Sequence, residues 1–177
     1  MISQEDYNLL KHGIRNVPDF PRAGIQFKDI TTAIRKPELL ALIVDDLAFH
    51  YRQMGITRVV AIESRGFLTG GALACKLGAG LVPVRKPGKL PSATYSKSYD
   101  LEYGKDALEI HKDALNEDDT VLLHDDLLAT GGTAMAAIDL LRNFNIHRIY
   151  VGFIVELDFL QGRQKLSPFE VYSLIHF

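Results

Sequence analysis

The chain has 177 residues, 47% of them hydrophobic, a formal net charge of −2 and a single cysteine, Cys75. Such a length suits one domain, 1–177, with an apolar share large enough to bury a core without disulfide or metal staples. The near-neutral charge gives no basic field for nucleic acid, one cysteine allows no internal disulfide and fits a reducing compartment, and neither a signal-peptide core nor a membrane-length apolar run is present, so the expectation is a cytoplasmic protein without nucleic-acid or membrane partners. Ser3, with Asp6 three positions on, predicts the start of a helix running to about Lys11, which Gly13 ends. The next stretch, 17–30, carries two prolines and a glycine, which forbid regular structure, yet it holds Phe20, Ile25 and Phe27. Those apolar residues read either as a small core cluster or as a pocket wall that stacks a flat heterocycle.

Pro37 opens a helix through about Tyr51, as proline does at a first helical position. Arg58–Ile62 is a β-branched run suited to a buried parallel strand. Glu63-Ser64-Arg65-Gly66 then gives a loop with a cationic tip, leading into a helix to about Leu77. Leu81–Val84 makes a third strand. From Arg85 to about Lys105 the pattern breaks, with prolines, glycines and several cations. A stretch of this length without clear elements is usually a lid or a linker, and Tyr95, Tyr99 and Tyr103 favour the lid. A short hairpin, Thr94–Tyr99 against Ala107–His111, fits its second half.

Val121–Ala134, VLLHDDLLATGGTA, is the most informative stretch. Val121–Leu123 read as a strand that runs into two carboxylates, Asp125 and Asp126. The small-residue turn Ala129-Thr130-Gly131-Gly132-Thr133 follows, then a helix. Such a turn lets a phosphate approach the backbone N–H groups and adds the positive end of the helix dipole. The acid pair suits vicinal sugar hydroxyls or a magnesium shell. No Gly-Lys-Ser/Thr and no G-x-G-x-x-G is present, so this is neither a Walker loop nor a dinucleotide fingerprint. His124 reads as a core histidine or as a donor to the acids. Arg148–Val155 is another buried strand, 160–165 a polar excursion, and Val171–Phe177 a terminal strand. Alternating strands and helices predict an α/β, doubly wound, largely parallel sheet, with the first 33 or so residues as a cap over one sheet edge.

The acid pair and its loop resemble the phosphoribosyl-diphosphate (PRPP) signature of the type I phosphoribosyltransferases. PDFPRAGIQFKDI at 18–30, SRGF at 64–67, RKPGKLP at 85–91, LEYGKDALEIHKDAL at 101–115 and VELDFLQGRQKL at 155–166 extend the resemblance over nearly the whole chain and point to the adenine branch of that family. The resemblance implies a core of five parallel strands, a base-binding hood over 1–33 and a catalytic lid over 85–105. It implies a purine-salvage reaction of adenine and PRPP to AMP and pyrophosphate, in a homodimer. Magnesium would be held mainly by PRPP and water, with no direct protein ligand. By the same matching, Asp125 and Asp126 face the ribose and Ala129, Thr130, Gly131, Gly132 and Thr133 hold the 5′-phosphate. Ser64, Arg65, Arg85, Lys86 and Lys89 would serve the pyrophosphate. Phe27 would stack on adenine, while the backbone around Gln26 and Lys28 reads its edge. Glu102 and Tyr103 would be the catalytic pair of the lid. Two rival readings remain at this point: a transferase for another purine base, and a PRPP-sensing module without catalysis. The short acidic N-terminus leaves the second no DNA-binding segment.

Overall fold

The computed structural model describes residues 2–100 and 105–177. Helix α1 (Gln4–Gly13) begins at Ser3, whose hydroxyl accepts from the Asp6 amide at 3.0 Å. Strands β1 (Arg15–Pro18) and β2 (Gln26–Asp29) follow as an antiparallel hairpin, from Arg15 opposite Asp29 to Pro18 opposite Gln26. This corrects the expectation of irregular chain over 17–30. Pro18 sits at the last position of its strand and Pro21 in the connection, where no ladder N–H is required. Helices α2 (Thr31–Ile34) and α3 (Pro37–Tyr51) lead into β3 (Arg58–Ile62), α4 (Gly66–Leu77) and β4 (Gly80–Val84). Then come β5 (Thr94–Asp100), β6 (Lys105–His111), β7 (Thr120–Leu128), α5 (Gly132–Leu141), β8 (Arg148–Glu156), α6 (Gly162–Lys165) and β9 (Glu170–His176).

Five strands form one parallel sheet in the order β4-β3-β7-β8-β9. Successive residues of its strands face opposite sides. Val60, Leu123 and Val151 therefore pack with Ala137 and Leu141 of α5 on one side. Val59, Leu122 and Ile154 pack with Leu10 of α1, Leu47 of α3 and Leu73 of α4 on the other. Both faces being covered, the strands read as continuous apolar runs rather than alternating ones. Among the described residues no helix is long and apolar enough to cross a membrane.

Two further readings are refined. Strand β7 does not stop at Leu123 but carries the acid pair within it and runs on to Leu128, with Asp125 opposite Phe153 of β8. The second half of 85–105 is an ordered strand: β5 and β6 pair from Thr94–His111 to Asp100–Lys105. Leu108 and Ile110 of β6 are buried, Tyr95 meets Phe144 edge to face at 5.4 Å, and Lys97 pairs with Asp139 of α5 at 2.8 Å. The expected catalytic pair, Glu102 and Tyr103, lies outside the described residues.

Candidate active site

The carboxyl ends of β3 and β7, neighbours in the sheet, meet at one point. Arg65, just before α4, places its Nε 2.7 Å from Oδ2 of Asp126. Its guanidinium also lies 4.9 Å from the ring centre of Phe27. Gly66 lets α4 come this close, since a Cβ there would stand 2.9 Å from the carbonyl oxygen of His124 and 3.1 Å from Oδ1 of Asp125. The Asp126 amide donates to that same Oδ1 at 2.8 Å. Asp126 Oδ2, by contrast, is buried with no aligned hydrogen-bond donor, only the ionic contact with Arg65. Such a buried, unpaired acceptor suits a hydroxyl donor from a ligand.

The two carboxyls share a desolvated corner. Burial raises the Asp125 pKa well above the usual range, and the neighbouring Asp126 charge adds to that. Burial also raises Asp126, which Arg65 opposes. The sign for stability follows. A carboxyl with a folded pKa above its unfolded one stabilises the fold at low pH, and loses that contribution as pH rises through the folded value. Asp125→Asn removes an ionisation the empty site disfavours. We therefore expect it to melt above wild type at pH 8, with the gap closing toward pH 4. Calorimetric melts across that range check this; a gap that widens on acidification rejects it.

The phosphate-sized loop runs from Ala129 to Thr133. Gly131 is left-handed, with φ of 79°, just ahead of α5. Gly162 of α6 backs this loop so closely that a Cβ on Gly131 would lie 2.6 Å from the Gly162 carbonyl oxygen. From the hairpin, the Tyr99 hydroxyl comes within 3.5 Å of Oγ1 of Thr133.

Two clefts adjoin at the loop. The smaller, of about 200 Å³, is lined by Arg65, Asp125, Asp126 and Ala129–Thr133. The larger, of about 730 Å³, lies under the β1–β2 hairpin, lined by Ile25, Gln26, Phe27, Lys28, Leu127, Leu157, Phe159 and Leu160. Leu127, Ala129, Thr130, Gly132 and Thr133 belong to both. Phe27 meets Phe20 edge to face at 5.2 Å. The Gln26 side chain is exposed and its Oε1 accepts from Asn16 at 2.6 Å. Lys28 sets its ammonium 4.0 Å from the ring centre of Phe177, and burial lowers its pKa.

The cations expected at pyrophosphate are dispersed. Ser64 is exposed in the β3–α4 connection. Arg85 donates to Glu63 at 3.1 Å and to the Lys89 carbonyl at 3.1 Å, and the Lys86 amide donates to Glu63 at 2.9 Å. These bonds, led by the Lys86 amide, hold the Glu63 carboxyl below its ordinary pKa. The Lys86 ammonium pairs with Asp106 of β6, and Lys89 is exposed. Arg65 alone among these cations touches the acid pair in the described residues. His124 is a core residue: buried, with Thr69 Oγ1 2.8 Å from one ring nitrogen and the Gly152 carbonyl 3.1 Å from the other. Burial lowers its pKa to about 4.

Several residues in and around the clefts escape sequence reasoning. Glu63 is an acid in a loop read as cationic. Leu160 opens what reads as a polar excursion and Leu157 and Phe159 come just before it; of the three, only the exposed Phe159 hints at a pocket.

A family model for the phosphoribosyl transferase domain matches residues 31–168. A protein of Citrifermentans bemidjiense named adenine phosphoribosyltransferase is 54% identical, with 95% of this chain and 98% of that one covered. The crystal structure of adenine phosphoribosyltransferase from Thermoanaerobacter pseudethanolicus superposes with a TM-score of 0.93 at 46% identity, covering 97% of this chain and 99% of that one. The enzyme of that name from Saccharomyces cerevisiae, solved with adenine and an imino-altritol bisphosphate, gives 0.92 at 39% identity, over 98% of this chain and 100% of its own. With that identity from end to end and that agreement of the whole sheet, the chain belongs to the adenine phosphoribosyltransferases.

Proposed function

We propose that the paired clefts join adenine to the ribose of PRPP, forming AMP and releasing pyrophosphate in purine salvage. The observation that carries this is the shared wall: one loop, Ala129–Thr133, closes an aromatic-walled cleft on one side and an acidic, phosphate-sized cleft on the other. A flat base and a sugar phosphate so placed meet at the ribose carbon where the bond changes.

The chemistry assigns the parts. As the bond to pyrophosphate breaks, the sugar becomes cationic and the leaving group gathers negative charge. Asp125 and Asp126 hold the ribose hydroxyls and sit near the sugar's charge. Arg65, with Ser64 beside it, faces the leaving group; Lys89, and Arg85 and Lys86 on leaving Glu63 and Asp106, reach it from the β4–β5 connection. Gly131, Gly132 and the Thr130 and Thr133 hydroxyls hold the 5′-phosphate at the start of α5. Phe27 stacks on the base while the backbone at Gln26 and Lys28 reads its edge; the Gln26 side chain, tied to Asn16, stays out of that readout. Glu102 and Tyr103 act as the catalytic pair of the 85–105 lid.

Magnesium fits as a partner of the substrate, because the donors here are hard carboxylate oxygens beside a diphosphate. When bound it would supply charge neutralisation at pyrophosphate, held mainly by PRPP and water with no direct protein ligand. We place the reaction in the cytoplasm, consistent with a lone exposed thiol at Cys75. We also propose a homodimer. Edge strand β4 with its half-exposed Leu81 and the exposed Leu68 of α4 offer apolar surface for it, and sedimentation at assay concentration distinguishes dimer from monomer.

Turnover of adenine, hypoxanthine, guanine and xanthine with PRPP, read as nucleotide by chromatography, tests the reading. AMP from adenine supports it, a preference for another base makes the chain a transferase for that base, and binding of PRPP without any nucleotide makes it a sensor. Phe27→Ala is expected to raise the adenine KM by about 5- to 150-fold, the loss of roughly 1–3 kcal/mol of stacking. PRPP binding stays within a few-fold. Equal effects on both substrates would mean that Phe27 only fills space beside Phe20 and Arg65.

A further inference from the structure

The segment from Leu157 to Lys165 touches both halves of the site. Leu157, Phe159 and Leu160 form a wall of the larger cleft. Gly162 backs the phosphate loop, where its own Cβ would collide with the Ala129 carbonyl. Arg163 lines neither cleft, yet it is the most heavily bonded side chain of α6. Its Nε and Nη2 donate to the two oxygens of Glu156 at 3.0 and 2.5 Å, and its Nη1 to the Val171 carbonyl at 2.6 Å. Ser173 donates to the same Glu156 carboxylate at 2.6 Å. Glu156 is buried at the end of β8; burial pushes its pKa up, and the bonds from Arg163 and Ser173 more than reverse that. A buried carboxylate with a forked guanidinium is a rigid, directional joint. It fixes α6 to the ends of β8 and β9.

We propose that Arg163 is a positioning residue, clamping the strap 157–165 so that one segment sets both the back of the phosphate loop and the wall of the base cleft. This rests on the reading of the two clefts given above. Gly131 and Gly162 approach too closely to allow independent movement, so any slip of α6 reaches the loop, and Phe159 and Leu160 are carried with it. The acid pair on β7 and Arg65 on the β3 side are held elsewhere and stay in place.

Arg163→Met, confirmed folded by its melting transition, is expected to raise KM for adenine and for PRPP together, by about 10- to 100-fold, with kcat within a few-fold of wild type. Arg163→Lys restores part of both, since an ammonium keeps the charge opposite Glu156 but not the fork. Should Arg163→Met not fold, Ser173→Ala, which removes one donor from Glu156, gives a smaller joint rise. Calorimetric titration with ribose 5-phosphate reports the loop without turnover and weakens in parallel. Unchanged KM values and ribose 5-phosphate affinity in a folded variant overturn the clamp, as does a rise confined to one substrate. Failure of the wild type to form AMP overturns the assigned reaction instead, and the ribose 5-phosphate titrations then decide the clamp alone.

Discussion

Gly131→Val is expected to lose PRPP binding by at least about 100-fold. Amide bonds to a phosphate are charge-assisted and worth roughly 1.5–3 kcal/mol each, so misplacing about two of them suffices. The sequence argument is that a side chain keeps the phosphate from the backbone. The structure puts the collision on the other side: the new Cβ meets the Gly162 carbonyl and the Lys165 side chain, behind the loop. A backbone carbonyl has little freedom to retreat, and the left-handed conformation costs a non-glycine residue a further ~1–2 kcal/mol. Lower thermal stability should therefore accompany the loss, and Gly131→Ala, with a single carbon in the same place, should show a milder form of both. Calorimetric titration of the folded variants with PRPP measures this; wild-type affinity in folded Gly131→Val removes the loop from the site.

Glu102→Gln should lower turnover by roughly 10²–10⁴-fold, the usual loss on deleting a general acid–base group, with adenine and PRPP affinities within a few-fold of wild type. Asp100 and Lys105 form the last described pair of the β5–β6 hairpin, and Glu102 falls between them in the sequence. The hairpin is braced where it meets α5, through Lys97 and Asp139, and touches the phosphate loop through Tyr99 and Thr133. Asp100 is the nearest rival, and Asp100→Asn beside Glu102→Gln in single-turnover assays separates them. A large loss in Asp100→Asn with Glu102→Gln unaffected assigns the chemistry to Asp100. If neither is impaired, the hairpin supplies no acid–base group.

The parts of the site legible in the sequence are those written in one continuous stretch. The apolar run of β7, the acid pair and the small-residue turn adjoin, so their chemistry can be read without the fold. Arg65 follows a β-branched run in the same way. The β1–β2 hairpin was hidden because Pro18 and Pro21 carry a strong local signal, while the pairing of Val17 with Phe27 has no local one. In 85–105, Pro87, Gly88 and Pro91 precede β5, and the alternating run from Thr94 made the hairpin with 107–111 legible although its surroundings read as loop. The partnership of Gly131 with Gly162 and that of Arg163 with Ser173 depend on chain packing. Nothing in the spacing of those residues announces them. Lys86 and Arg85 illustrate the opposite failure: their charge was evident, but the acids that hold them, Asp106 and Glu63, come from other elements.

The contacts of α1 bear on how the chain assembles as it is made. The Lys11 ammonium donates to the His176 carbonyl at 2.6 Å, and the Tyr7 hydroxyl accepts from the His176 amide at 3.2 Å. These bonds join the first helix to the last strand of the sheet. On the ribosome, α1 emerges before β9, yet its seat against β9 does not exist until β9 itself has left the exit tunnel. Helix α1 is therefore made well before it can dock, and until then Leu10 and Ile14 have no completed core to enter. The phosphate loop, backed by α6 and through Arg163 by β9, is completed at the same late stage.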